Sequence, residues 1–176
     1  FFKKFEILFL YFFITLSISN VVMAQECKTY SNNVIRIIPD MEKALSDVVV
    51  DIVGVVTDVN IVNFTGYHTC LSDVNLELTS PAGTKVLFVN FGNCCGGGQP
   101  FKTKFDDSGV TTSYPCPMND NIAHKPTNGN FSVFNGEQAA GTWTLLFDDA
   151  VGADCGFLCG WSLEVSTGGV CTGVAP

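Results

Sequence analysis

A chain of 176 residues with a formal charge of −8 and only nine basic side chains is too acidic to hold a phosphate backbone, which excludes nucleic acid as a partner. Hydrophobic residues make up 47% of it, enough to bury a real core, and the length suits one ordinary domain. The acidic surface fits two uses, solubility outside a cell or capture of divalent cations.

At the start, Lys3 and Lys4 precede an apolar run from Ile7 to Ile18, then a polar break and the small-residue stretch Val22-Met23-Ala24. This predicts a signal peptide over residues 1–24, a chain that is secreted, at the cell surface or periplasmic, and no membrane contact once the peptide is removed. The run is shorter than the roughly 20 residues needed to span a bilayer, so a retained anchor is the weaker alternative.

Residues 25–33 read as an N-terminal lead. Beyond them the pattern is nearly all β, with only a short helical turn suggested at residues 41–45. β-rich runs occupy 34–38, 48–53, 55–62 and 84–90, with Gly54 marking a bulge or turn. Val74-Asn75-Leu76-Glu77-Leu78, Trp143-Thr144-Leu145-Leu146-Phe147 and Trp161-Ser162-Leu163-Glu164-Val165 each present one apolar face at a period of two. Turn chemistry separates the runs at Ser80-Pro81-Ala82-Gly83, at residues 96–100, and through a long loop at 114–130 that holds Pro115, Cys116, Pro117 and Pro126. About eight strands with no strand–helix repeat predict an antiparallel sandwich, for which jelly-roll and immunoglobulin-like arrangements compete.

All eight cysteines, Cys27, Cys70, Cys94, Cys95, Cys116, Cys155, Cys159 and Cys171, follow the predicted cleavage point, and an even number in an exported chain suggests disulfides, at most four. Zinc-type spacing is absent. His68 and His124 lack any Gly-x-Ser-x-Gly elbow or other activated nucleophile, so no catalytic residue is predicted and His68 is read as a turn-stabilising group. Acidic side chains bunch in loops at Asp106-Asp107 and at Asp148-Asp149 with Asp154, beside Asp73 at a strand start. Two readings stay open: oxygen ligands for calcium, or aspartates capping their own turns.

The stretch from Tyr67 to Thr84, with His68-Thr69, Asp73, the alternating strand and Ser80-Pro81-Ala82-Gly83-Thr84, resembles the signature of the P domain (Homo B domain) that follows the protease in proprotein convertases. A second block is similar to the end of that family: Gly136-Glu137, then Gly141-Thr142-Trp143-Thr144-Leu145, Asp148, Gly156, Leu158 and Trp161-Ser162-Leu163. Ile38-Pro39-Asp40 is similar to its beginning. The resemblance covers about residues 35–166 and sets the predicted domain at 34–167, with a tail at 168–176.

It implies a jelly-roll sandwich that stabilises or assists a subtilisin-like serine endopeptidase supplied elsewhere, since no triad is present on this chain. It also implies Ca²⁺, with Asp106, Asp107, Asp148, Asp149 and Asp154 as the expected ligands. The insertion at residues 92–98 and most of the cysteines depart from the family pattern and suggest either a local staple or a loop surface for another extracellular protein. A free-standing module that binds a glycan or protein is the alternative, with Tyr114, Phe131 and Phe134 as the aromatics to examine.

Overall fold

The computed structural model describes residues 26–90, 97–169 and 171. The predicted signal peptide, Cys94 and Cys95 lie outside the described residues. Ten strands follow in order: β1 (Cys27–Asn32), β2 (Arg36–Ile38), β3 (Lys43–Val50), β4 (Asp58–Cys70), β5 (Val74–Thr79), β6 (Lys85–Val89), β7 (Gly97–Phe105), β8 (Asn119–His124), β9 (Gly141–Asp149) and β10 (Gly156–Ser166). Short 3₁₀ turns sit at Leu71–Asp73 and Phe131–Phe134.

The strands form an antiparallel β-sandwich of jelly-roll type. The larger sheet has the order β1-β10-β4-β7-β8, with β2 also pairing β10, and the smaller has the order β3-β9-β5-β6. Among the described residues only β7 and β8 run parallel. Period-two side chains explain the layering: β5 and β9 alternate buried and half-buried residues, so one face of each meets the opposite sheet. β10 is buried on both faces from Gly160 onward, the position of a central strand.

Three sequence readings change. The turn expected at 41–45 ends early, and Lys43 to Leu45 already pair with β9. Gly97 and Gly98 open β7, whose apolar face is Phe101 and Phe105 with Lys102 and Lys104 between them, a period-two signal hidden by its Gly-rich start. The loop at 114–130 contains β8, whose sequence has no alternation and which exists through its pairing with β7.

Trp143, Trp161 and seven phenylalanines are fully buried between the sheets. Each indole N–H finds an acceptor, Trp143 on the Ala139 carbonyl at 3.0 Å and Trp161 on Ser46 Oγ at 2.9 Å. Phe64 stacks on Phe101 at 4.7 Å, and Phe134 meets Trp143 edge-on at 5.0 Å. Phe131, Phe134 and Tyr114 belong to this core, so none of the three offers a ring to a glycan.

The Ser80–Thr84 connection is tied across the fold by Glu137, whose carboxylate accepts from Ser80 Oγ at 2.6 Å and from Thr84 Oγ1. Gly83 takes φ +87°, and a Cβ on Gly141 (φ +137°) would lie 2.7 Å from the Pro81 ring. These contacts give the two separated sequence blocks one physical purpose, closing the hairpin against the start of β9.

Candidate functional site

Side chains capable of chemistry gather at the two ends of β4, the longest strand. At its far end His68 points inward and meets Asp149, the last residue of β9, with Nε2 and Oδ2 3.4 Å apart and both side chains wholly buried. His68 Nδ1 lies 2.7 Å from the Cys70 carbonyl oxygen and 3.2 Å from the Cys70 amide. Asp149 Oδ2 and His68 Nε2 thus face each other at more than ordinary hydrogen-bond length. Burial raises the Asp149 carboxyl above the usual carboxylate range, and the His68 ring opposes that shift.

Around this pair the motif residues act as fasteners. Thr69 Oγ1 donates to the Cys155 carbonyl and accepts from its amide, at 3.1 and 2.8 Å. Ser72 Oγ lies 2.8 Å from Cys70 Sγ and donates to Asp73 at 3.1 Å. The Asp73 carbonyl accepts from the Ala150 amide, and Asp40 Oδ1 accepts from Ala153 at 3.0 Å. Both nearby hydroxyls are thus engaged in holding the backbone together, and His68 Nδ1 is turned to the Cys70 main chain. His124, at 2.7 Å from Asp120, lies on β8 beside the Tyr114 ring.

The expected calcium ligands divide between the two ends. Asp106 and Asp107 follow β7 at the Asp58 end; Asp148, Asp149 and Asp154 lie near His68. About 25 Å of strand separates the groups at 3.3 Å per residue, so they cannot share one ion. Asp107 accepts from the Phe131 and Ser132 amides at 2.9 and 2.8 Å, capping a 3₁₀ turn. Asp106 accepts from the Ser108 amide at 2.6 Å, and Asp148 faces Lys43 at 3.6 Å. Asp154 joins Cys70 and Asp73, whose donor atoms lie within 4.8 Å of one another.

Sequence reasoning missed Asp58, Asn60 and Glu164, which meet at the near end of β4. Asn60 Nδ2 donates to Asp58 at 3.0 Å and reaches Glu164 at 3.5 Å. The available signal was polar residues at alternate positions of two otherwise apolar strands.

Cys27 and Cys171 form a disulfide spanning 144 residues, and Cys116 is also disulfide-bonded. Cys70, Cys155 and Cys159 are free thiols, so the described cysteines are not all paired. Cys155 and Cys159 are exposed on either side of Phe157, which is 40% exposed and stacks on Tyr67 at 5.8 Å. Register carries this row outward to Ile37, 75% exposed, and to Pro100.

The sequence profile described as proprotein convertase P-domain matches residues 57–165. Among solved structures the chain is similar to the serine protease of Aeromonas sobria in complex with its chaperone, at 17% identity and a TM-score of 0.55, covering 83% of this chain and 27% of that one. It is likewise similar to the Aeromonas sobria serine protease alone, at 17% identity and a TM-score of 0.52, covering 81% of this chain and 27% of that one. At these identities the likeness is one of fold, and this chain spans 27% of the length of either protease structure. A search of curated proteins finds no match.

Proposed function

Because the chain belongs to the proprotein convertase P-domain family, we propose that it is a non-catalytic extracellular module that stabilises or assists a subtilisin-like serine endopeptidase. The observation that carries this reading is the use of the family's motif residues: His68, Thr69, Glu137, Ser80 and Thr84 all fasten strands to one another, and none is arranged for chemistry. Long-range disulfide bonding supports an oxidising compartment. The apolar row Ile37–Phe157–Tyr67–Pro100 on the larger sheet is the surface offered to the protease, since a ring and a branched aliphatic left this exposed on a flat face suit a partner's apolar patch.

The test is to mix the chain with a subtilisin-like catalytic domain lacking its own P domain and follow the protease's half-life at elevated temperature. A longer half-life that disappears with Phe157→Asp supports the reading. An unchanged half-life, with no complex by size exclusion, refutes it.

Calcium is proposed at the far end of β4, with Asp149 and Asp154 among its ligands. Support comes from the fully buried carboxylate of Asp149, whose contact with His68 is long, and from the negative charge of Asp40 beside it. Oxygen donors in a turn-rich loop fit this hard ion. Melting the protein with CaCl₂ and with a chelator checks it: a higher Tm in CaCl₂, smaller in Asp149→Asn, is expected, and coincident curves for the parent remove the ion.

A further inference from the structure

The connection between β8 and β9 contains Asn130-Phe131-Ser132, held from both sides. Before it, the Thr127 and Asn128 amides donate to the Phe88 carbonyl on β6 at 3.0 and 3.4 Å. Within it, Phe131 is 1% exposed and meets the Phe88 ring at 5.4 Å. Asn130 is exposed, with an extended backbone at φ −137° and ψ 148°.

Asn130 immediately precedes the 3₁₀ turn at Phe131–Phe134, a place where asparagine ordinarily caps the first amides with its own side chain. Here it makes no such bond. Asp107 takes the role instead, accepting from the Phe131 and Ser132 amides at 2.9 and 2.8 Å. The Asn130 carboxamide is therefore left in water with no part in holding the turn. Ser132 is exposed as well, and its hydroxyl makes no hydrogen bond among the described residues. With Phe131 buried between them, both polar side chains face solvent.

Asn-x-Ser or Asn-x-Thr, with x other than proline, is the acceptor sequence for an N-linked glycan on an exported chain. The chain has a second copy, Asn63-Phe64-Thr65, in a different setting. It lies on β4, between β10 and β7, where Asn63 is half-buried and the Thr65 hydroxyl donates to the Gly160 carbonyl at 3.2 Å. A bulky, solvated group suits the first place and not the second.

We propose that Asn130 is an N-glycosylation site, filled from a lipid-pyrophosphate-linked oligosaccharide during export; this rests on the extracellular reading above. Asn130 Nδ2 attacks the first sugar carbon of that donor. The bond from this carbon to the pyrophosphate oxygen breaks, the lipid pyrophosphate leaves, and one carboxamide proton passes to a base of the transferase. The turn loses no cap, because Asp107 already supplies it. Asp107 follows Phe105, which is level with Ile61 of β4, whereas Pro100 of the apolar row is level with Tyr67. About 20 Å of β4 separates those levels at 3.3 Å per residue, so the glycan leaves the row free.

The test is expression in cultured mammalian cells, once with residues 1–24 and once behind a host signal peptide. Secreted protein is expected to run as a larger species that peptide N-glycosidase returns to the mass of the bare chain, leaving a carboxylate at position 130. Asn130→Gln and Ser132→Ala are each expected to lose that modification, and Asn63→Gln to keep it. Secretion of both forms with Asn130 unmodified overturns the site alone. Secretion only behind the host peptide denies the extracellular reading, and the site with it.

Discussion

Glu137 is joined to two hydroxyls that belong to a hairpin more than fifty residues away, and Gly141 leaves room for the proline of that same hairpin. Glu137→Ala is expected to lower stability by about 1–2 kcal/mol, because Ser80 and Thr84 lose a charged acceptor in a half-buried setting. Gly141→Ala combines a strained φ with a collision against Pro81, and about 2 kcal/mol or more is expected. Urea denaturation of both variants measures these losses; values within 0.5 kcal/mol of the parent would deny the hairpin its anchoring role. Titration behaves differently. Asp149, Asp58 and Glu164 have carboxyls raised above their unfolded values, so the folded state holds more protons across that window, and stability falls as pH climbs through it. In chelator, Tm is expected to decline from the usual carboxylate range upward through the raised folded values, and Asp149→Asn to flatten that decline.

At the level of strands, what could be read in the sequence depended on whether the signal was local. The alternation in β5, β9 and the Trp161 strand, and the turn chemistry at Ser80–Thr84, lie within a few residues and led directly to the sandwich. β8 carries no such signal, since Asn119–His124 becomes a strand only when β7 is there to pair with it. The near-end cluster was hidden for the same reason: Asp58 and Asn60 come from β4 and Glu164 from β10, and only the register across them makes them neighbours. Asp106 and Asp149 looked like parts of similar loops, and nothing local shows that β4 holds them apart. The edges also include β1, placed within the predicted lead, which pairs along its whole length with β10. Removing its tether with the pair Cys27→Ser and Cys171→Ser is expected to lower stability by about 3–5 kcal/mol on loop-closure grounds. A chemical-denaturation midpoint unchanged between oxidised and reduced protein would refute that.

For the molecule as a whole, the Cα atoms of Cys27 and Cys171 are 5.8 Å apart, so the chain enters and leaves the sandwich at nearly one point. A pulling force applied to polypeptide on either side of the domain therefore passes through the sulfur–sulfur bond and leaves the two sheets unloaded. In the oxidised state the 144-residue loop is mechanically silent; once reduced, it can pay out on the order of 500 Å of chain at about 3.5 Å per residue. Single-molecule stretching should show that extension only in the presence of a reductant. The bond thus makes the domain a shackle, carrying tension applied at its two ends while its own folded surface stays intact.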